Sequence, residues 1–98
     1  MSDVKRKQLR VVVSGQVQGV WYRASACSRA QQLGLSGRVW NRVDGKVEIV
    51  AEGSGSALQG FLIWCAQGPP GARVVGLESY WSEPDAGFDD FRVSYEVS

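Results

Sequence analysis

The sequence has no histidine, only two cysteines and no long apolar run, and each absence excludes a class of protein. Without histidine, an imidazole general base, a phosphohistidine and most transition-metal sites are excluded. Cys27 and Cys65 are too few for a structural metal site, and neither precedes an arginine at the spacing of a cysteine phosphatase loop. No apolar stretch approaches the ~20 residues of a membrane span, and no signal-peptide core follows the basic start. We therefore expect a cytoplasmic protein with no membrane partner.

Length and charge indicate one soluble domain that does not bind nucleic acid. The 98 residues have room for one hydrophobic core, so we predict a single domain over residues 1–98. A net charge of +1 gives no electrostatic reason for a nucleic-acid partner. The basic cluster Lys5-Arg6-Lys7 could be a binding arm, but we interpret residues 1–6 as a flexible, solvated tail.

The pattern of apolar residues, glycines and prolines predicts five strands and two helices. Strands alternate apolar and polar residues, Asp44-Gly45 marks a tight hairpin, and Gly68-Pro-Pro-Gly71 ends the second helix. The predicted order is strand 8–14, helix 22–33, strand 36–43, strand 46–52, helix from the 53–56 cap to 66, strand 73–82 and strand 91–97.

The turn between the first strand and the first helix predicts an anion site. Residues 15–23 read Gly-Gln-Val-Gln-Gly-Val-Trp-Tyr-Arg. A glycine-rich turn that leads into a helix leaves backbone N–H groups unpaired at the positive end of the helix dipole, where they bind anions. Arg23, in the first turn of the helix, can add a bidentate contact to phosphate oxygens. The predicted ligand is a phosphate-type oxyanion.

The order of elements predicts an α+β fold, a ferredoxin-like α/β sandwich with βαββαβ order and an additional C-terminal strand. We expect an antiparallel-type sheet covered by two helices on one face. Right-handed crossovers make the first two strands parallel, with the third strand between them. Asn41, the single asparagine, then lies at the same sheet edge as the 15–23 turn, within reach of the anion.

The residues quoted above resemble the acylphosphatase family. Residues 15–23 are similar to its phosphate-binding signature, with Tyr22 where phenylalanine or methionine is usual. Residues 37–53 are similar to its second signature and contain Asn41, but Arg38 and Trp40 depart from it. Because alternate strand residues share a face, we expect Arg38 and Trp40 to point away from Asn41. The resemblance covers nearly the whole chain.

The resemblance implies an enzyme that hydrolyses acyl phosphates to a carboxylate and inorganic phosphate, with no metal, no cofactor and no covalent intermediate. By the same resemblance, Arg23 binds the phosphoryl group and Asn41 orients the attacking water. We expect a small-molecule substrate and a monomeric protein, and we expect none of the residues to bind a metal. The loop residues expected to contact the substrate are Gly15, Val17, Gln18, Gly19 and Val20.

Other functions remain open at this stage. The same fold could be a phosphate-sensing module without turnover, an excised domain of a carbamoyl-phosphate-using maturation protein, or an RNA-binding module. The last would need aromatic residues on the two central strands, which the first and third strands lack.

Several single residues also carry expectations. We interpret Cys27 and Cys65 as buried thiols, with a disulfide between them as the alternative. Trp21 and Trp64 could form an acyl pocket or a partner surface, but partly exposed packing is the main interpretation. The acidic residues around 83–90 are not predicted to bind metal. In the free protein, the terminal carboxylate of Ser98 could pair with Arg23.

Overall fold

A computed structural model describes residues 5–95, which form one five-stranded sheet and two helices. The strands and helices follow the predicted order. Their bounds are β1 Arg6–Gln16, α1 Tyr22–Gln32, β2 Ser36–Asn41, β3 Val47–Ser54, α2 Gly55–Gln67, β4 Arg73–Ser82 and β5 Phe91–Val93.

The strand order in the sheet is β4-β1-β3-β2-β5. β1 pairs antiparallel with β3 and β4, and β2 pairs antiparallel with β3, so β1 and β2 are parallel with β3 between them. This confirms the ferredoxin-like prediction. These three pairings are antiparallel, as predicted, and the additional strand β5 pairs parallel with β2, so the sheet is mixed at that edge.

Both helices cover the same face of the sheet, because alternate strand residues form a single apolar layer beneath them. Small residues on α1 and larger ones on α2 fill the space above this layer. Burying these side chains is the main favourable contribution to folding. The buried members include Leu9, Val11, Val13, Val39, Ile49, Ala51, Ala26, Ala30, Leu58 and Phe61.

Tyr22 connects the start of α1 to the end of α2. Its side chain is buried, and its hydroxyl donates to the carbonyl oxygen of Cys65 at 2.7 Å. That carbonyl belongs to the last turn of α2, where no helical N–H remains to bond it. A phenylalanine at position 22 could not make this bond, so the departure from the family pattern has a structural reason.

The connection between β2 and β3 is longer than predicted, five residues instead of two, since β2 ends at Asn41 and β3 begins at Val47. The N–H of Arg42 donates to the carbonyl of Lys46, and the Asp44 carboxylate accepts from the N–H of Lys46. Asp44 is therefore a turn residue, as predicted. This hairpin fixes where β2 stops and thus where Asn41 lies.

Arg38 and Trp40 lie on the helix-free face of β2, opposite to Asn41, as expected from strand alternation. The Arg38 guanidinium donates to the carbonyl and carboxylate oxygens of Asp90, both at 3.0 Å, and its carbon lies 5.0 Å from the centre of the Phe88 ring. Arg38 therefore holds the segment that precedes β5 against the sheet.

The chain ends differ from the prediction at two points. β1 begins at Arg6, which pairs with Ser54, so Arg6 belongs to the sheet and not to a tail. β5 spans only Phe91–Val93, and residues 94 and 95 lie outside it. The rest of the predicted strand, and the proposed contact of the Ser98 carboxylate, involve residues outside the described range.

Within residues 5–95, no helix is both long and apolar enough to span a bilayer. Cys27 and Cys65 are free thiols and not a disulfide. Cys65 is buried as predicted, whereas Cys27 is half-buried. The Cys27 position on α1 faces the start of β5, where its sulfur contacts the carbonyl of Phe91.

Candidate active site

A cavity of about 310 Å³ lies where the end of β1, the start of α1 and the end of β2 meet. It is the place at which parallel strands β1 and β2 bring their carboxyl ends to one edge of the sheet. Its lining contains one charged side chain, Arg23, and no carboxylate among the described residues. The lining residues are Val17, Gly19, Trp21, Tyr22, Arg23, Ala24, Asn41, Val93 and Tyr95.

Gly15 shapes the loop from outside the cavity. The pairing of β1 with β4 is irregular between Ser14 and Gly15, and Gly15 has φ 122°. A Cβ at Gly15 would lie only 2.1 Å from the carbonyl oxygen of Arg73, so only glycine allows this approach of β1 to β4. Gly15 therefore turns the chain toward the cavity and does not line it.

The segment between β1 and α1 leaves backbone donors open. Gly19 has φ 75° and Trp21 has φ 65°, so the chain turns twice before the helix begins. α1 starts without a side-chain cap and without an acidic residue in its first turn. Among residues 5–95, no backbone or side-chain acceptor bonds the N–H groups of residues 18–21. Such an uncapped helix start favours an anionic ligand.

Gln18 anchors the loop to the neighbouring hairpin. Its side-chain amide donates to the carbonyl oxygens of Arg42 and Lys46, at 2.9 Å each. Because Arg42 directly follows Asn41, these two bonds fix the loop relative to the end of β2. Gln18 does not line the cavity through its side chain, and Val20 packs against the hydrophobic core.

Asn41 brings a carboxamide into the cavity from the end of β2. Its Oδ1 is buried and has no hydrogen-bond partner among the described residues. A buried acceptor without a partner costs about 1–3 kcal/mol, so this oxygen is available to a donor that residues 5–95 do not supply. The position agrees with the prediction that Asn41 and the loop share one edge of the sheet.

Arg23 makes no ion pair with any carboxylate of residues 5–95. Its guanidinium carbon lies 5.1 Å from the centre of the Tyr95 ring, a cation–π contact that keeps the charge at the cavity. Aromatic rings attract cations without neutralising them. Among residues 5–95, the five N–H donors of Arg23 thus have no side-chain or backbone acceptor and are available to an oxyanion.

Four of the predicted site residues line this one cavity, namely Val17, Gly19, Arg23 and Asn41, but the prediction did not include the whole lining. Val93 and Tyr95 come from the C-terminal end of the described chain, and the strict alternation of Phe91, Val93 and Tyr95 was the signal that could have identified them. Trp21 was interpreted as partly packed, but its side chain is 80% exposed. Trp64, in contrast, packs beside Phe61 and Tyr22 as expected.

The buried titratable groups near the site are not poised for proton transfer. Burial raises the pKa of the Tyr22 hydroxyl far above its ordinary range, and that hydroxyl is already bonded to Cys65. Burial likewise raises the pKa of the Cys65 thiol to about 12, which leaves it protonated and unreactive at neutral pH. Within residues 5–95, no cluster of three or more metal-ligating residues is present.

Together, these groups can bind and orient a tetrahedral anion. Open amides and a guanidinium provide donors for the equatorial oxygens, and the Asn41 carboxamide provides an acceptor beside them. Positioning and charge stabilisation are the main requirements of phosphoryl transfer.

Comparison with known proteins gives a consistent result. A sequence profile of the acylphosphatase family matches residues 9–93. The acylphosphatase of Methylococcus capsulatus is 48% identical over 91 residues, covering 93% of this chain and 99% of its own. The crystal structure of acylphosphatase from Bacillus subtilis superposes with a TM-score of 0.88 at 38% identity, covering 91% of this chain and 99% of that chain. An acylphosphatase structure from Coxiella burnetii gives 0.87 at 34% identity, covering 96% and 100%.

Proposed function

Since the chain belongs to the acylphosphatase family and is therefore an acid-anhydride hydrolase acting on acyl phosphates, we propose that Arg23, Asn41 and the loop amides carry out the reaction. Water attacks the phosphorus directly, without metal, cofactor or phosphoenzyme. The enzyme acts as a cytoplasmic monomer, and it releases a carboxylate and inorganic phosphate.

The observation that carries this proposal is the buried Oδ1 of Asn41, which lies beside the open loop and has no hydrogen-bond partner among residues 5–95. An amide oxygen is too weak a base to deprotonate water, but it accepts a hydrogen bond and directs the water's lone pair. Holding a nucleophile in line with the bond to be broken can contribute up to about 7–11 kcal/mol to catalysis in favourable cases. Asn41 is thus a positioning acceptor for the attacking water.

Arg23 and the loop amides act on the phosphoryl group. The N–H groups of residues 18–21 and the start of α1 donate to the equatorial oxygens, and Arg23 adds two parallel bonds. On binding, the phosphoryl oxygens replace the Tyr95 ring as the principal partner of the guanidinium. Because these donors are fixed before the reaction, little reorganisation is required as charge develops.

The chemistry of the substrate explains why a chain without histidine suffices. As the water oxygen bonds to phosphorus, the bond from phosphorus to the acyl oxygen breaks, and the bonding pair leaves with the carboxylate. A carboxylate needs no protonation to depart. The water's proton passes to a phosphate oxygen, so the products balance as RCOO⁻ and protonated inorganic phosphate. No general acid and no metal ion are required.

The test is hydrolysis of benzoyl phosphate with a chelator present, by wild type and by Asn41→Ala. We expect metal-free turnover by wild type, and a loss of about 10²-fold in kcat for Asn41→Ala, similar to removal of one transition-state hydrogen bond. Inorganic phosphate should still bind the variant with a nearly unchanged inhibition constant, because Arg23 and the loop remain.

Two outcomes would contradict the proposal at different levels. Near-normal turnover by Asn41→Ala would remove the water-positioning role while leaving the hydrolase. Phosphate binding without any turnover by wild type would instead favour the phosphate-sensing module.

The rate near neutrality should show no histidine-type titration between about pH 6 and 7, because the chain contains no imidazole. The mass of the protein in solution, measured by sedimentation, tests whether it is a monomer.

A further inference from the structure

Two exposed aromatic side chains at the mouth of the cavity have no role in binding a phosphoryl group through its oxygens. The side chain of Trp21 is 80% exposed and that of Tyr95 is 77% exposed, yet both line the cavity. The Oδ1 atom of Asn41, in contrast, is buried. The cavity therefore has a polar inner end and an aromatic outer end.

Trp21 is held at this mouth in an unfavourable conformation. It is the one residue other than glycine with positive φ among residues 5–95. That conformation costs about 1–2 kcal/mol for a residue with a side chain. No aromatic partner within the described chain compensates for it, whereas Trp64 stacks against Phe61. Strain that packing does not offset is a recurring property of functional positions.

The direction of the reaction connects this mouth to the substrate. In phosphoryl transfer, the attacking oxygen and the leaving oxygen lie roughly in line on opposite sides of the phosphorus. Water held by the buried Oδ1 of Asn41 approaches from the inner end. The acyl group therefore leaves toward the outer end, where Trp21 and Tyr95 are located.

We propose that Trp21 and Tyr95 form an acyl subsite that selects acyl phosphates with planar, aromatic acyl groups. This inference rests on the proposed function, since it assigns the part of the substrate that the phosphate-binding groups do not contact. A planar ring can stack on one aromatic face and meet the edge of the other. Val93 and Ala24 complete the apolar lining. An acetyl group is too small to contact both rings.

Tyr95 also places this subsite directly beside the phosphate-binding group. Its ring lies 5.1 Å from the guanidinium carbon of Arg23. A substrate whose phosphoryl group is bound by Arg23 therefore has its acyl group within the range of the Tyr95 ring. The residues that select the acyl group are thus adjacent to the residue that binds the phosphoryl group, and the two can be changed separately.

The test compares kcat/KM for benzoyl phosphate with kcat/KM for acetyl phosphate. We expect wild type to favour benzoyl phosphate, and we expect Trp21→Ala to reduce the ratio about five- to tenfold, the range that an aromatic pair contact supplies. Trp21→Phe should keep most of the preference. Trp21→Asn is the second variant, because asparagine adopts the left-handed conformation readily and so preserves the loop.

Trp81→Ala is the matched control, since it removes another partly exposed indole, on β4, that does not line this cavity. Its ratio should equal that of wild type. An unchanged ratio in both Trp21→Ala and Trp21→Asn, with both substrates hydrolysed, would overturn the acyl subsite alone. If wild type hydrolysed neither benzoyl phosphate nor acetyl phosphate, the proposed function would be overturned, and the subsite with it.

Discussion

The two ends of the central sheet differ in whether their polar groups have hydrogen-bond partners within the described chain. At one end, the buried carboxylate of Glu52 accepts hydrogen bonds from the backbone N–H groups of residues 85–87, and the Ser54 hydroxyl accepts from the first turn of α2. At the other end, α1 begins without a side-chain cap, and the Oδ1 of Asn41 has no partner in the described chain.

This difference separates stability from function. Where the chain supplies its own anion and its own cap, backbone donors are satisfied and the fold is stabilised. Where it does not, the same kinds of donor remain available, and the fold is less stable there until a ligand arrives. We call the end with Asn41 and the start of α1 the open end, and the end with Glu52 and Ser54 the satisfied end. Changes at the open end should therefore affect activity more than stability, and changes at the satisfied end should affect stability more than activity.

The largest expected effect is at the open end, in Arg23→Lys. A lysine keeps the positive charge but cannot reproduce two parallel N–H bonds to phosphate oxygens. We expect kcat/KM for benzoyl phosphate to fall about 10²–10³-fold, as for loss of a fixed transition-state donor. The free energy of unfolding should change little, because Arg23 makes no ion pair among residues 5–95.

Arg29→Lys is the control for this prediction. Arg29 lies in the last turn of the same helix, is exposed, and contacts Gln32. Its replacement should leave kcat/KM within about twofold of wild type, since surface substitutions change little. Equal losses in the two variants would show that replacing either arginine of α1 impairs the enzyme, and that loss of the bidentate contact of Arg23 is not the cause.

The next effect is at the satisfied end, in Glu52→Gln. The amide has one acceptor oxygen and would turn its NH₂ group toward backbone donors, so we expect a loss of about 2–3 kcal/mol in the free energy of unfolding. Activity of the folded fraction should be preserved, because Glu52 lies at the other end of β3 from the cavity. Urea titration followed by circular dichroism measures the loss.

The same variant has a defined pH dependence. Burial alone would raise the pKa of Glu52, but hydrogen bonds from the N–H groups of residues 85–87 and the side chain of Gln8 outweigh it and lower that pKa below its ordinary 4.5. The stabilisation is therefore present above pH 4.5 and is lost as the pH falls through the lowered value. Wild type should lose more stability than Glu52→Gln between pH 7 and pH 3. Glu83→Gln, an exposed control, should follow wild type.

The fold could be predicted because its signals are local. Alternation in β1 and β3, the glycine-proline stop after α2 and the Asp44 turn each determine a neighbouring element, and right-handed crossovers determine the strand order. The end of β2 and the length of β5 could not be predicted. They depend on pairing with distant residues, such as the contact of Arg38 with Asp90.

The site was predicted in part for the same reason. Arg23 and the loop are close in sequence, and Asn41 follows from the sheet order. Tyr95 and the exposed position of Trp21 depend on how the C-terminal segment and the α1 start pack, which no local pattern encodes. The buried Glu52 was missed because strand alternation places it on the helix-free face, where charged residues are ordinary.

The smallest effect sharpens the comparison between the two helix starts. Ser54 accepts from the N–H of Ala57 at 3.2 Å, and Ser54→Ala removes that cap. We expect the free energy of unfolding to fall by about 1 kcal/mol, and by only a few tenths in Ser54→Gly. Because the cap of α2 lies away from the cavity, kcat/KM should stay within about twofold of wild type.

Inorganic phosphate then distinguishes the two helices directly. At ten times its Kd, phosphate should raise the free energy of unfolding by about 1.4 kcal/mol in wild type, because it binds only the folded state. The gain should be the same in Ser54→Ala and should be absent, at that concentration, in Arg23→Ala. If Ser54→Ala instead lost the gain, phosphate would be acting at the start of α2, and the assignment of the open anion site to α1 would be wrong.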